Sequence, residues 1–296
     1  MLSEALLRNI ALLLIASLIS VASFGQDKLS PKWEELTAPD FVAAIKKAQN
    51  TCVLPFGILE KHGPHLPLGT DLINVRFSSL RAVEQEYAVV FPEYYVGQIF
   101  EARHQPGTIA YSLQLQLQLL QETTDEMARN GCKKILIVNG HGGNNSLLPL
   151  YGQAQLASSK DYVVYVYMLG GYEVPGRPAM KTTNDMHGGE SETSRMMVSR
   201  PDLLHIDRAQ SQSGEDQDRI KGLPEQVYTG IWWYAKFPNH YSGEGAAARK
   251  ELGEFDMNTW STGIAGALKA IKADENSLKL QQEFYERAKK PLETKQ

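Results

Sequence analysis

The chain lacks the charge distribution of a nucleic-acid-binding protein. Its 30 lysine and arginine residues are outnumbered by 34 acidic residues, which gives a formal net charge of -4, and the basic residues are scattered along the sequence. Because no segment offers a basic face to a phosphate backbone, the composition argues against nucleic acid as a partner. The hydrophobic fraction of 43% is ordinary for a globular protein and is enough to build a core.

Long apolar runs are also missing, except near the N-terminus. Arg8 precedes the stretch IALLLIASLISVASFG, which ends in small residues and turns polar at Gln26. A membrane-spanning helix needs about 20 apolar residues, and this stretch is shorter. The pattern predicts a signal peptide over residues 1–25 and a mature domain over residues 26–296. That domain would be periplasmic or secreted and free of the membrane after cleavage; an uncleaved anchor is the alternative.

Cysteine is scarce, since the chain contains only Cys52 and Cys132. Neither follows the N-terminal apolar segment directly, so lipid attachment is not indicated. Each lies at the start of an apolar stretch typical of a strand, and neighbouring parallel strands would bring both sulfur atoms to the same edge of a sheet. In an exported protein the two residues either form a disulfide or remain buried thiols, and the sequence leaves both possibilities open.

The sequence does contain a regular alternation of strand and helix patterns. Apolar stretches typical of strands occupy residues 51–59, 87–97, 133–140 and 161–169, with helical patterns between them, and the segment from residue 244 onward also reads as helical. This alternation predicts an α/β fold, built as a single domain with a mostly parallel sheet covered by helices on both faces. No internal repeat, low-complexity tract or linker divides the chain.

Candidate functional residues cluster after the first predicted strand, in the stretch LPFGILEKHGPHLPLGTD. Side chains alternate in an extended segment, so Glu60 and His62 are expected to point to the same side. The glycines and prolines that follow predict a turn-rich loop, which can bring Asp71 back to the end of the strand. These three side chains would suit a metal ion, although a solvated surface would also explain them.

A second candidate motif, VNGHGGNN, follows the third predicted strand. The strand ends at Asn139 and is followed by His141 and a glycine pair. Ligands of open parallel sheets gather outside the carboxyl ends of the strands, so His141 is expected near the first motif. Gly143 and Asn144 are predicted to bind substrate, because a helix start presents free N–H groups to an oxyanion. A tight turn with a buried histidine is the alternative.

The third motif is NDMHGGESETSRMM, in which His187 precedes a glycine pair and a predicted helix. Glu190 and Glu192 both fall in the first turn of that helix. Acidic residues are common there because they complement the helix dipole. The spacing alone does not decide which of the two carboxylates points inward.

Taken together, the motifs EKHGPHLPLGTD, VNGHGGNN and HGGESETS, with RHQPGTI between the first two, resemble the creatininase (creatinine amidohydrolase) family. The resemblance extends over roughly residues 55–245. It implies an α/β fold with a parallel sheet and a centre of two zinc or manganese ions. It also implies hydrolysis of a carbon–nitrogen bond in a small, often cyclic, amide, and a closed homo-oligomer.

The resemblance also assigns metal ligands. They fall on Glu60, His62, Asp71 and His141, with Asp71 bridging the two ions. Creatininase itself has a metal-binding glutamate at the position of Gly143, so this chain departs from it there. The resemblance then implies that Glu192 is the fifth ligand. Mixed histidine and carboxylate ligands suit zinc or manganese, and neither cysteine lies near these motifs.

The family pattern places His187 beside the metal centre. We predict that it acts as a general acid and delivers a proton to the leaving nitrogen, while two metal ions activate water and polarise the carbonyl. The alternative is that His187 only orients Glu192 through a hydrogen bond.

The substrate is less well defined than the reaction. Creatinine-acting members have tryptophans that close over the ring, but residues 183–186 contain none. Trp232 and Trp233 could instead cover the site, or they could belong to the core or a subunit contact. Other family branches act on formamide-bearing pyrimidines, peptides or oxidised cyclic sugars such as inososes. A non-catalytic secreted protein that binds metal or sugar is a further alternative, and a two-metal phosphoesterase fits the motifs less well.

Overall fold

The structure is a computed structural model that describes residues 29–170, 174–224 and 226–295. The predicted signal peptide lies outside these residues. Within them, no helix combines the length and the apolar character needed to cross a bilayer.

Four parallel strands form the central sheet, in the order β2-β1-β3-β4. These strands are β1 (Thr51–Phe56), β2 (Val89–Val90), β3 (Lys134–Asn139) and β4 (Val163–Met168). A separate antiparallel pair consists of β5 (Asp185–His187) and β6 (Ser242–Gly243). This antiparallel pair brings the third sequence motif beside the segment that precedes residue 242.

Eight α-helices accompany the strands in the described part of the chain. They are α1 (Ala38–Lys47), α2 (Thr70–Gln85), α3 (Leu113–Arg129), α4 (Asn144–Ala154), α5 (Glu190–Ser199), α6 (Trp232–Lys236), α7 (Lys250–Ala273) and α8 (Ser277–Ala288). Helix α1 begins as its sequence predicts, since the Thr37 side chain accepts a hydrogen bond from the backbone N–H of Asp40.

The sheet is covered on both faces, as predicted. Alternate residues of β1 point in opposite directions, so Leu54 packs with α1, α3 and α4 while Val53 packs with α2 and α7. The same division holds in β3, where Ile137 belongs to the first cluster and Leu136 to the second. All four are at most 1% exposed, so the core lies on both sides of the two central strands.

All four strands are shorter than the predicted stretches, and local contacts explain where the first two end. The second strand covers only Val89–Val90 of the predicted 87–97, because Pro92 has no N–H to donate to a sheet. The first strand ends at Phe56, and the next N–H, that of Gly57, donates to the carbonyl of Tyr94. A Cβ at Gly57 would lie 2.4 Å from the backbone nitrogen of Leu72 in α2, so only glycine fits this close approach. The chain therefore leaves the sheet where α2 begins.

Cys52 and Cys132 form a disulfide, which is the first of the two alternatives left open by the sequence. Cys52 lies in β1, and Cys132 lies two residues before β3 begins. The bond therefore links the N-terminal ends of the two central strands.

Candidate metal centre

The predicted site residues converge at the carboxyl end of the sheet. Glu60 and His62 follow β1, His141 follows β3, and Asp71 lies in the first turn of α2. The third motif adds His187 at the end of β5 and Glu192 in the first turn of α5. The side chains of Glu60 and His62 do point to the same site, as predicted, with Nε2 of His62 3.8 Å from Oε1 of Glu60. Both residues lie beyond the end of β1, in a segment without regular secondary structure.

Three side chains meet at the first of two possible metal positions. Nδ1 of His141 lies 2.8 Å from Oε1 of Glu60 and 3.0 Å from Oδ2 of Asp71. All three residues are buried, and apart from Nδ1 of His141 neither of these carboxylate oxygens has a hydrogen-bond donor among the described residues. Buried carboxylate oxygens are costly unless a cation balances them, so this group fits a metal ion.

The second position lies on the other side of Asp71. Nε2 of His62 is 3.1 Å from Oδ1 of Asp71 and 4.0 Å from Oε2 of Glu192. Nδ1 of His187 is also 4.0 Å from that glutamate oxygen. Asp71 therefore offers one carboxylate oxygen to each position, which is the geometry of a bridging ligand.

Each of these three histidines is oriented by a backbone carbonyl. A carbonyl only accepts, so the ring nitrogen next to it must donate. Nδ1 of His62 donates to the carbonyl of Glu60 at 3.3 Å, Nε2 of His141 to that of Gln98 at 2.9 Å, and Nε2 of His187 to that of Lys61 at 2.8 Å. The other ring nitrogen of each residue is left facing the site. Metal-binding histidines have this arrangement in proteins.

The three histidines of the centre differ widely in pKa. Burial would lower the pKa of His62, but the Asp71 carboxylate outweighs burial and raises it to about 10. The pKa of His141 is likewise raised well above its ordinary value, because Glu60 and Asp71 outweigh the effect of burial. Burial dominates at His187 and lowers its pKa to about 4. Two imidazolium cations thus compensate the carboxylates when no metal is bound.

The two glutamates of the third motif point in different directions. Oε2 of Glu192 accepts from the N–H of Gly188 at 2.5 Å and faces the histidines. Oε2 of Glu190 accepts from the N–H groups of Lys181 and Thr182, and its Oε1 pairs with Arg249. Of the two, only Glu192 belongs to a group that could hold a metal. The geometry therefore agrees with its predicted role as a ligand, which remains a prediction.

Comparison with known proteins decides the family. The family model for creatininase, described as creatinine amidohydrolase, matches residues 34–268. The chain belongs to the creatininase family. It is 26% identical over 255 residues to the creatinine amidohydrolase of Pseudomonas putida, which covers 79% of this chain and 95% of that protein.

Other similar proteins include a peptidase and two solved creatininases. The mycofactocin precursor peptide peptidase of Mycolicibacterium smegmatis is 31% identical over 161 residues, covering 52% of this chain and 60% of that protein. Two solved creatininases, one in an Mn form and one variant of Zn-Zn type, share the fold. Their TM-scores are 0.63 and 0.62 at 23% identity, and each alignment covers 81% of this chain and 98% of that structure.

Packing requires a glycine at position 143 in the second motif. A Cβ at Gly143 would lie 2.4 Å from Nε2 of His141 and 2.8 Å from the carbonyl oxygen of Gln98, which are the two partners of one hydrogen bond. Asn144 is fully buried, and its Oδ1 accepts from the N–H of Gln98 at 3.0 Å. Both residues support the loop that orients His141, while their predicted contact with substrate remains a prediction.

Sequence reasoning missed His240, although the segment that contains it was noted for its tryptophans. Nε2 of His240 lies 2.5 Å from Oε2 of Glu60, and its ring is 4.5 Å from that of His187. Trp233 also reaches the site, with its ring edge-on to His187 at 5.8 Å. The signal available was weak: a histidine in FPNHYSG, between a tryptophan pair and a glycine.

A cavity of 760 Å³ opens beside Glu192. Its lining includes Arg177, Arg195, Asp256 and Trp260. Arg177 donates two hydrogen bonds of 2.8 Å to the Asp256 carboxylate. The Arg195 guanidinium stacks on Trp260, 4.4 Å from the ring centre. The space next to the candidate metal centre is therefore charged as well as large.

Proposed function

We propose that this chain is an exported, two-metal amidohydrolase that cleaves a carbon–nitrogen bond of a small, cyclic amide. The observation that carries the proposal is the arrangement of His62, His141 and His187. Each gives one ring N–H to a backbone carbonyl and turns its other nitrogen toward carboxylate oxygens at the sheet edge. Membership of a family of amidohydrolases supports the reaction type.

The donor set fits zinc or manganese. Glu60, Asp71 and His141 would hold one ion. His62 and Glu192 would hold the other together with Asp71, whose Oδ1 lies 3.1 Å from Nε2 of His62. Two such ions, when bound, supply a water that is deprotonated near neutral pH and polarise the carbonyl to be attacked. Relatives solved in Mn and Zn-Zn forms support this choice of metals.

His187 is the proposed proton carrier. Its Nε2 proton is held by the carbonyl of Lys61, so only Nδ1 can exchange a proton with the reaction. Because burial lowers the pKa of His187 to about 4, the resting imidazole is neutral. We therefore infer that Nδ1 first accepts the proton released by water and then delivers it to the leaving nitrogen.

Export and assembly belong to the same proposal. The Cys52–Cys132 bond supports export, because disulfides persist in oxidising compartments.

A homo-oligomer is supported by apolar side chains on the outside of α3, where Leu113 and Leu115 are each 42% exposed. Light scattering of the purified protein would measure the number of subunits.

A peptide substrate is the second candidate. The cavity beside Glu192 is of a size that accepts drug-sized ligands, which is more than a single small ring needs. One relative is a peptidase, although this chain spans only 60% of its length. A substrate with charged groups would also match the Arg177 and Asp256 side chains in the lining.

The test is metal analysis of the purified mature protein, followed by a substrate panel. We expect close to two divalent ions per chain and turnover of cyclic amides such as creatinine in preference to linear peptides. Preferential cleavage of peptides would establish the second candidate. Two bound ions without turnover of any amide would favour a non-catalytic binding protein, and turnover by metal-free protein would refute the proposal.

A further inference from the structure

The carboxylate of Glu60 has different partners on its two oxygens. Oε1 faces His141 and the first candidate metal position, while Oε2 meets Nε2 of His240 at 2.5 Å. Both Glu60 and His240 are at most 2% exposed, so water does not compete for this contact. His240 therefore holds one of the two oxygens of the Glu60 carboxylate.

Trp233 and Glu60 place the proton of His240 on the same ring nitrogen. Its indole Nε1–H donates to Nδ1 of His240 at 2.8 Å. An indole nitrogen is only a donor, so Nδ1 must accept and cannot be protonated. The proton of the imidazole then resides on Nε2 and points at Oε2 of Glu60.

This arrangement distinguishes His240 from the three histidines that face the candidate metal positions. His62, His141 and His187 each use one nitrogen to donate to a carbonyl and keep the other for the site. Both nitrogens of His240 are engaged, one by Trp233 and one by Glu60. It therefore has no lone pair left for a metal ion, even though its ring lies within 4.8 Å of the possible ligand atoms of Glu60 and His187.

The backbone around His240 is held in place from several sides. Its φ of 50° lies in the left-handed region, which is uncommon for a residue other than glycine. The carbonyl of Pro238 accepts from His104 and Gln105, that of Asn239 from Lys61, and that of His240 from the N–H of Gly63. Unfavourable backbone conformations that persist under such constraint are typical of functional positions.

We propose that His240 is a positioning residue and that Trp233 fixes its tautomer. The Nε2–H of His240 holds Oε2 of Glu60, which leaves Oε1 directed at Asp71 and His141. The inference rests on the proposed function in one respect, namely that Glu60 binds a metal. The tautomer itself is a property of the metal-free chain and can be tested separately.

The first experiment reads the tautomer by long-range ¹⁵N–¹H NMR of full-length mature protein labelled on histidine nitrogen. We expect the His240 signals, assigned by their absence from His240→Gln, to show a proton on Nε2 only. Trp233→Phe keeps an aromatic ring but removes the indole donor, and it should give a mixture of tautomers. A proton on Nδ1 in the wild type, or an unchanged pattern in Trp233→Phe, would overturn the assignment.

The second experiment measures zinc affinity by competition with a chelating dye. His240→Leu removes both polar contacts and should weaken zinc binding about 10- to 100-fold, the range seen when groups that orient metal ligands are lost. His240→Gln retains an amide N–H for Glu60 and should bind within a few-fold of wild type. Trp233→Phe should lie between them. Trp232→Phe makes the same change in the neighbouring residue, whose ring pairs with Trp233 and with no histidine among the described ring contacts, and it should match wild type.

The outcomes separate the two proposals. If the wild type binds no zinc, the proposed function fails, while the NMR experiment still decides the tautomer. If the wild type binds zinc and a folded His240→Leu binds it equally well, His240 does not position Glu60. Should His240→Leu fail to fold, the comparison of Trp233→Phe with Trp232→Phe decides instead, and equal affinities there would refute the proposal.

Discussion

At the scale of single residues, Glu190 and Glu192 should respond differently to the same change. Glu192→Gln keeps the shape of the side chain but removes the charge facing His62 and His187, so one metal ion per chain and nearly all activity should be lost. Glu190→Gln should retain both ions and lose about 1 to 3 kcal/mol of stability, because it removes a buried partner of Arg249.

Metal analysis, turnover and thermal unfolding of both variants would check this pair. If Glu190→Gln lost a metal while Glu192→Gln kept two, the roles of the two carboxylates would be reversed. If both variants kept two ions and normal turnover, the fifth ligand would have to come from elsewhere.

A second prediction at this scale concerns the glycine pair of the second motif. Gly143→Ala would place a methyl group 2.4 Å from Nε2 of His141 and force the ring away from the Gln98 carbonyl. We expect zinc affinity to fall by about tenfold or more, as when a group that orients a ligand is lost. Gly142→Ala is the matched control, because a Cβ there has nothing within 4 Å. Equal zinc affinities in titrations of the two variants would contradict this account of Gly143.

The sequence identified most of the candidate site because the motifs are local. Strand ends and glycine turns predict where Glu60, Asp71 and His141 should gather, and the structure brings them together. His240 was missed because its place depends on the antiparallel pairing of two very short strands far apart in the chain. Such a contact leaves no periodic pattern in the sequence.

At the scale of secondary-structure elements, the disulfide should contribute strongly to stability. It joins β1 to the residues just before β3 across a sequence separation of 80 residues, so it restricts the unfolded chain considerably. Replacing both Cys52 and Cys132 by Ala should lower the free energy of unfolding by about 4 kcal/mol, measured by denaturant titration. Metal content should not change, because the bond lies at the opposite end of the strands from the site.

Alkylation without reductant provides the control for that prediction. Protein from its native compartment should carry no alkylated thiol, whereas two modified cysteines would show that the bond does not form there. A double variant as stable as the wild type would show instead that the bond forms but adds nothing.

Element boundaries depended more on tertiary contacts than on local pattern. The alternation of strand and helix predicted the α/β class and the parallel sheet correctly. The ends of the first two strands were wrong because Gly57 packs against the start of α2 and Pro92 interrupts pairing. Neither effect can be read from the apolar runs alone.

At the scale of the whole molecule, the metal-free protein should lose stability as pH rises. The pKa of His62 is raised from 6.5 to about 10 in the folded chain, because Asp71 outweighs the effect of burial. A raised pKa stabilises the fold fully below the unfolded value of 6.5, and this stabilisation is lost as pH rises through about 10. Thermal unfolding of metal-free protein across this window would test the sign, and a rise in stability toward pH 10 would contradict it.

The same imidazolium groups predict that metal binding releases protons. His62 and His141 are protonated in the metal-free chain at pH 7, since the pKa of each is raised, yet a metal ligand must be neutral. Calorimetric titration with zinc, repeated in buffers of different ionisation enthalpy, should therefore show one proton released from each of these residues. His62→Gln removes one of the two groups and should reduce the release by one proton. Zinc binding without proton release would mean that these nitrogens do not face the ions, and the metal centre would then require other ligands.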